Sequence, residues 1–525
     1  MSRTDEIARF FTACMEDPAR PTHCARVLCA CLHALDGRRD YELFALDLPF
    51  FPPQFEGYES LRKTHHAYLT ACVTFLSTLR SKEELEELAA SISVCACPAP
   101  SAKGAARTLV ARLHRFKPAR QFTFRDFVEA LVRHLGGILN HAVETKTISG
   151  AAASGGLKRN AKKHAECRLW PVGASQLVPS GLEQSMQGYV ASFRLCRDSR
   201  FQDTLLVVME FLSLFGGPVL RHILQFEPDW ALRISALVCY VLKERNETLG
   251  RPVRMDMETG WLHTITLILM FCSKINEEGE RNPRDVAHFV TWNMSGEKNG
   301  STILVNCGLL LVCTVIRQEI QSFRNGTILF TNEIIERFSI QSACFAARLY
   351  CYRPQDDGLE YHPDILRMRA KTDAFLADPL RTAFEGFCWA ARLRHCCAPE
   401  CNETFATAGR PFSRCAGCGV LRYCSRECQK SAWRNTRTPH KDVCPKLRVV
   451  RERTKLPREP RVPDHFRDLP PFIDACNADE GLRVLANDCG IHMYYLMTVR
   501  QDFGVDHVPE AFRALFAATP DVDGE

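Results

Sequence analysis

Seven cysteines and one histidine between residues 396 and 444 are spaced in pairs that could bind metal ions. A Cys-x2-Cys turn aims two thiolates at one tetrahedral ion, and four such pairs can complete two four-coordinate sites. Neither site would keep an open position for a substrate water, so the spacing predicts two structural Zn²⁺ ions per chain. The pairs are Cys396 with Cys401, Cys415 with Cys418, Cys424 with Cys428, and His440 with Cys444.

Metal binding would also supply the folding energy of this segment. It has few aliphatic side chains, and a chain this short buries too little apolar surface to fold alone. A structural zinc site contributes roughly 10 to 16 kcal/mol in comparable peptides. Within the segment, Ser425 is expected to be the N-cap of a short helix that places Cys428 one turn in.

The Tyr-Cys-Ser-x-x-Cys-Gln run that starts at Tyr423, the following Trp433 and the closing His-x3-Cys resemble a MYND-type zinc finger. The resemblance implies a cross-braced order of ligands, which the spacing alone does not show. In that order one zinc would be bound by Cys396, Cys401, Cys424 and Cys428, and the other by Cys415, Cys418, His440 and Cys444.

Two features depart from the usual pattern of the family. Cys396 and Cys397 are adjacent, so the first pair is either Cys396-x4-Cys401 or Cys397-x3-Cys401 where Cys-x2-Cys is common. We predict that Cys396 is the ligand. The interval from Trp433 to His440 is also long, and we expect a loop there to leave His440 on the metal.

The rest of the chain is expected to be mainly α-helical. Apolar residues recur at helical spacing in one segment after another, and alternating strand patterns are scarce. Ser81 with Glu84 has the signature of a capping box, and Thr123 precedes another amphipathic run. We predict a multi-helix body, either an armadillo-like solenoid of stacked hairpins or an irregular helical domain, with the finger near the C-terminus.

The helix that enters the finger has the clearest signals. Asp378 is the predicted N-cap and Pro379 the first helical residue. An apolar stripe follows, and we expect it to pack on the helical body and so hold the finger in place. The stripe consists of Leu380, Ala383, Phe384, Phe387, Cys388 and Ala391.

Composition along the chain suggests six segments. A stretch of small residues followed by basic residues is typical of a flexible loop. Prolines at three-residue intervals after the finger favour an extended polyproline II linker. The segments are an N-terminal helical region (1–146), a flexible basic loop (147–165), a helical body (166–395), the zinc finger (396–444), a basic proline-containing linker (445–470), and a C-terminal helix with a tail (471–525). Within the last, one helix is expected over 474–497.

Cysteine usage and charge indicate an intracellular protein. The N-terminus has no apolar signal region, so the thiols are expected to stay reduced in the cytoplasm or nucleus. The net charge of +6 over 525 residues is too diffuse to indicate nucleic-acid binding. The uncharged stretch 299–316 is expected to be a buried helix rather than a membrane span. Cysteines in apolar stretches are expected to act as small hydrophobes: Cys14, Cys29, Cys31, Cys239, Cys307 and Cys313.

Signatures of catalysis are missing from the sequence. It has no Walker phosphate loop, dinucleotide-binding glycine motif, His-Glu-x-x-His or Gly-x-Ser-x-Gly segment. Some SET-type lysine methyltransferases contain a similar finger, but the residues after Cys444 lack the Asn-His-x-Cys type segment of their cofactor pocket. We therefore expect a protein that is not an enzyme.

The resemblance implies a protein-interaction module that binds short proline-containing peptides such as Pro-x-Leu-x-Pro, in an adaptor or regulatory role. Arg422, Gln429 and Trp433 are groove candidates by position beside the second zinc, although Gln429 and Trp433 could instead pack the finger. Two alternatives stay open: a nucleic-acid-associated regulator that uses the basic stretch 446–461, and a finger that only joins the C-terminal part to a helical scaffold.

Overall fold

The computed structural model of the chain is built almost entirely of α-helices. Its described part contains nineteen α-helices, three 3-10 turns and two small two-stranded sheets, so the prediction of a mainly α fold is confirmed. The described residues are 3–36, 57–97, 107–108, 110–111, 121–144, 169–215, 218–248, 251–279, 286, 289–290, 293–298, 301–306, 308–324, 328–350, 363–393, 395–399, 401, 403, 408, 410–436, 438–456 and 465–498. The predicted loop 147–165 lies outside these ranges.

The chain divides into two compact units, residues 1–243 and 244–525. In the first unit, aromatic rings of different helices meet edge to face, with centroids 5.2 Å apart for Phe11 and Tyr68 and 5.1 Å for Phe75 and Phe127. Its helices are α1 (Arg3–Cys14), α2 (Ala25–Ala34), α3 (Tyr58–Thr64), α4 (His66–Ser77), α5 (Lys82–Ser93), α6 (Phe124–Glu144), α7 (Leu182–Arg194), α8 (Phe201–Phe215), α9 (Pro218–Phe226) and α10 (Trp230–Glu247), with 3-10 turns at Ala174–Gln176 and Asp198–Arg200.

Two helices of the first unit begin where local capping signals predict. The Ser81 backbone N–H donates to Glu84 at 2.7 Å, and the Glu84 N–H donates to the Ser81 hydroxyl at 3.2 Å, which completes the capping box. Thr123 makes the same reciprocal pair with Asp126 at the start of α6. These caps satisfy N–H groups that have no partner inside the helix.

The second unit contains the finger and the helices around it. Its elements are α11 (Met255–Gly279), β1 (Asn293–Lys298), β2 (Ser301–Asn306), α12 (Leu309–Glu319), a 3-10 turn (Ile320–Arg324), α13 (Asn332–Leu349), α14 (Pro363–Leu376), α15 (Pro379–Arg392), β3 (Ser413–Arg414), β4 (Arg422–Tyr423), α16 (Arg426–Trp433), α17 (His440–Arg453), α18 (His465–Asn477) and α19 (Glu480–Thr498).

The stretch 299–316 is not the single buried helix that we predicted. Strands β1 and β2 pair in antiparallel register, with Lys298 opposite Ser301, and helix α12 starts only at Leu309. The residues between the strands in sequence are Asn299 and Gly300, a dipeptide that favours a two-residue hairpin connection. That signal and the β-branched residues of β2 should have indicated a strand. No helix in the described residues is long and apolar enough to cross a membrane.

The chain after the finger also differs from the prediction. Residues expected to open an extended linker at 445 instead continue α17 to Arg453, while 457–464 lies outside the described residues. The helix predicted over 474–497 is two helices, α18 and α19. Asp479 separates them, because its carboxylate accepts from the Leu482 N–H at 2.9 Å and so caps α19.

Helix α19 crosses α15 at close distance, with a glycine from each helix at the crossing. A Cβ on Gly386 would overlap Met493, and a Cβ on Gly490 would overlap the Pro379 carbonyl. We predicted that the apolar stripe of α15 packs on the helices before the finger. It packs mainly on α19, which follows the finger. Asp378 does cap α15 as expected, accepting from the Leu380 N–H at 2.9 Å.

Most of the cysteines predicted to be small hydrophobes are buried. Cys14, Cys29, Cys31 and Cys313 have that environment, but Cys239 is exposed on α10. The prediction is wrong for Cys239 because α10 turns that side chain to solvent. Cys307 lies outside the described residues.

Candidate metal centre

The first cluster of the finger joins two loop cysteines to two cysteines at the start of α16. The Sγ atoms of Cys396, Cys401, Cys424 and Cys428 all lie within 4.8 Å of one another. Cys424 Sγ is 3.6 Å from Cys401 Sγ and 3.3 Å from Cys428 Sγ. Ser425 caps α16 by accepting from the Cys428 N–H at 3.1 Å, as predicted, and this fixes Cys428 one turn into the helix.

The structure separates the two adjacent cysteines that the sequence left as alternatives. Cys396 Sγ belongs to the first cluster. Cys397 Sγ instead accepts from the Arg422 N–H at 3.3 Å, and the Cys397 N–H donates to the Arg422 carbonyl at 2.8 Å. Cys397 thus holds its segment against β4, while its neighbour faces the metal position.

The second cluster joins the β3–β4 turn to the start of α17. Cys415, Cys418, His440 and Cys444 have ligand atoms within 4.8 Å of one another, and all four residues are buried. His440 Nε2 lies 3.4 Å from Cys415 Sγ and 3.9 Å from Cys418 Sγ. The Cys415 and Cys444 sulfurs are 3.7 Å apart.

These separations fit tetrahedral zinc. With Zn–S of about 2.3 Å and Zn–N of about 2.0 Å, two sulfurs on one ion are about 3.8 Å apart and a sulfur and a nitrogen about 3.5 Å. The Cys415–Cys444 and Cys415–His440 distances match these values. Each cluster has four ligands, so each would form a closed structural site.

Two thiols of the first cluster need a cation to ionise at neutral pH. Burial, and beyond it the charge of Cys401 and Cys428, raises the pKa of Cys396 to about 12. Burial, and the hydrogen bond that Cys424 donates to Cys428, raise the pKa of Cys424 as well. Without metal these thiols stay protonated at neutral pH, and Zn²⁺ binding displaces their protons. The donor set therefore suits a divalent thiophilic ion.

Two glycines make room for the second cluster. A Cβ on Gly417 would lie 2.7 Å from Cys444 Sγ and so would crowd that ligand. Gly419 has φ +66°, a left-handed conformation that favours glycine, and a Cβ there would overlap the Arg451 guanidinium. Sequence reasoning missed both residues, although glycines next to a Cys-x2-Cys pair are a recognisable sign of a tight metal turn.

Side chains from α17 and α19 enclose the second cluster. Arg451 Nη1 donates to the Cys418 carbonyl at 2.7 Å, and Arg451 is buried. The His440 ring lies 5.8 Å from that of Tyr423 and 6.3 Å from that of His492 on α19. Arg451 was also missed, since it falls in the stretch that was predicted to be a basic linker.

The three groove candidates have different environments. Trp433 is 40% exposed, and its ring meets His440 edge to face at 5.7 Å. Gln429 is half-buried and donates from Nε2 to Cys415 Sγ at 3.5 Å. Arg422 is half-buried in β4, with Nη1 donating to the Phe412 carbonyl at 3.4 Å. Their proposed role in peptide binding stays a prediction.

Comparison with known proteins identifies the finger. Residues 396–444 match the family described as MYND finger. Comparisons of the chain with curated proteins and with solved structures gave no significant match. The match covers the two clusters and ends at Cys444. Residues 396–444 are therefore a MYND finger, a member of the MYND zinc-finger family with two cross-braced Cys/His clusters for two zinc ions.

Proposed function

We propose that the finger binds proteins through short proline-containing segments, and that the chain acts inside the cell as an adaptor or regulator rather than as an enzyme. The observation that supports this most is the exposure of Trp433 on α16, directly beside the second cluster. Proline-rich peptides dock on exposed aromatic rings, and their extended conformation costs little entropy to order.

The surroundings of Trp433 support a rigid binding surface. Its helix is fixed at the N-terminus by the Ser425 cap and by Cys428 in the first cluster. Gln429 bonds to Cys415 Sγ, so its side chain is directed to the metal and positions α16 against the second cluster. An aromatic side chain on a helix that both clusters hold in place loses little conformational freedom when a peptide binds, and this favours affinity.

The test is titration calorimetry with a synthetic Pro-x-Leu-x-Pro peptide and the full chain. We expect Trp433→Ala to weaken binding by about tenfold or more, since a central aromatic contact exceeds 1 kcal/mol. The matched control is Val484→Ala, which removes an exposed apolar side chain on α19 outside the finger. Both variants should retain two zincs. Equal binding by all three proteins, or no binding by any, would overturn the proposal.

A second candidate function is structural, with the finger as the joint between α15 and the C-terminal helices. It is supported by α19, which packs on both α15, before the finger, and α17, at its end. If this were the finger's sole role, Trp433→Ala would change no binding reaction, whereas loss of a zinc ligand would lower the stability of the second unit.

Nucleic-acid binding has less support, because basic side chains of the stretch after the finger already have partners. Lys446 bonds to Asp488, Arg453 to Asp479, and Arg451 to the Cys418 carbonyl. A phosphate-binding surface would need these charges free, and its affinity would fall steeply with salt. Peptide binding that does not change with salt concentration would support the peptide-binding function over nucleic-acid binding.

A further inference from the structure

A third group of thiols lies in the first unit, far from the finger in sequence. The Sγ atoms of Cys24, Cys95 and Cys97 all lie within 4.8 Å of one another. They come from two separate segments, because Cys24 precedes α2 while Cys95 and Cys97 follow α5. Three sulfurs brought together from separate segments could serve as ligands to one metal ion.

The two segments are held in place by the fold. Cys24 is the N-cap of α2, and its N–H donates to Cys97 Sγ at 3.3 Å. The end of α5 is fixed by Ser93, whose hydroxyl accepts from the Phe124 N–H at 3.2 Å and whose carbonyl accepts from Gln121 at 2.7 Å. Contacts of the fold itself therefore position the thiols, as a preorganised site requires.

The exposure of the group also suits a metal that exchanges with solvent. Cys24 is buried and Cys97 half-buried, but Cys95 is exposed. An ion could enter and leave past Cys95, unlike the closed clusters of the finger.

We propose that Cys24, Cys95 and Cys97 form a solvent-accessible three-thiolate site for a thiophilic metal ion, with Cu⁺ as the ion that it fits best. Structural zinc is almost always four-coordinate, and the described residues supply three ligand atoms here. Cu⁺ is a soft ion that thiolates select and that forms stable three-coordinate thiolate complexes. Binding would form three metal–sulfur bonds and release the thiol protons to solvent, with no change of oxidation state.

The site is tested by titrating the reduced, zinc-loaded full chain with Cu⁺ held by a competing chelator, under anaerobic conditions. Native mass spectrometry should show one copper bound while both finger zincs remain. Cys95→Ser should lose the copper, and because Cys95 is exposed this variant should fold normally. Cys239→Ser is the matched control, since it removes an exposed cysteine outside all three groups and should keep the copper. A second arm with Zn²⁺ reports whether the same thiols accept a divalent ion with water as the fourth ligand.

Three results would overturn the proposal. One is no uptake of either metal beyond the finger zincs. Another is uptake that Cys95→Ser leaves unchanged. The third is a disulfide within the group when the protein is purified without reductant, together with no metal binding after that disulfide is reduced. Circular dichroism of Cys95→Ser distinguishes loss of the site from loss of the fold.

Discussion

The two zinc clusters of the finger differ in burial and in what surrounds them. In the first cluster only Cys396 is buried, and the other three cysteines are half-buried; in the second all four ligands are buried. The second cluster also contacts α19 through the His440 and His492 rings, and Arg451 bonds to its turn. The two clusters have the same number of ligands but different structural roles. The first stabilises the finger locally, and the second is also part of the core of the second unit.

The largest expected effect comes from removing a ligand of the second cluster. Cys418→Ser should lose one zinc, and with it much of the roughly 10 to 16 kcal/mol that a structural site supplies. It should also expose α19 to hydrogen exchange. Cys401→Ser in the first cluster should lose one zinc with exchange confined to the finger. Hydrogen exchange with mass spectrometry measures the protection of backbone amides in α19 and in the finger. Equal protection of α19 in the two variants would contradict a different structural role for the two clusters.

The contact of α15 with α19 provides the next largest effect. Gly490→Ala should destabilise the protein by about 1 to 3 kcal/mol, because the new methyl group overlaps the Pro379 carbonyl. The matched control is Gly260→Ala in α11, where a Cβ meets nothing within 4 Å. Alanine there should stabilise the helix by about 0.5 to 1 kcal/mol. Urea unfolding measures the change in the free energy of unfolding for both variants. A change of the same sign in both would contradict the close crossing of α15 and α19.

The adjacent cysteines at the entry to the finger allow a sharper test within the first cluster. Cys396→Ser should lose one zinc, whereas Cys397→Ser should retain two, since the Cys397 sulfur accepts from the Arg422 N–H and is not part of the first cluster. We expect the second variant to cost about 1 kcal/mol from the lost hydrogen bond. Zinc release measured with a colorimetric chelator distinguishes them. Zinc loss in Cys397→Ser alone would reverse the assignment.

The smallest effect is expected at the ion pair of Lys446 with Asp488, which links α17 to α19. Both side chains are about one third or more exposed, so Asp488→Asn should cost less than about 1 kcal/mol, and the cost should shrink with added salt. Thermal unfolding at low and high salt measures it. A large, salt-independent loss would mean that this pair, and not the metal cluster, joins the two helices.

Local signals in the sequence predicted the helix starts and the ligands of the finger. Caps such as Ser81 with Glu84, Asp378 and Ser425 act within one turn, so residue type and spacing determine them. The family resemblance gave the cross-braced grouping. That grouping joins segments far apart in sequence, and spacing alone leaves it open.

Part of what the sequence missed depends on contacts between distant segments. Gly386 and Gly490 are ordinary helix residues until α15 and α19 cross. The break at Asp479 depends instead on a local cap, which the apolar periodicity over 474–497 outweighed. The hairpin at 293–306 was missed because an apolar run outweighed the Asn-Gly signal. The third thiol group was missed because treating the cysteines outside the finger as hydrophobes overlooked the Cys95-Ala96-Cys97 spacing.

The central claim is that two zincs are held in separate clusters of one finger, and the number of zincs per chain tests it most directly. Native mass spectrometry of the full chain carrying Cys95→Ser, which removes the third thiol group from the count, should show two zincs. The same chain with Cys415→Ala should show one. One zinc or none in the first protein, or no change on replacing Cys415, would contradict the account.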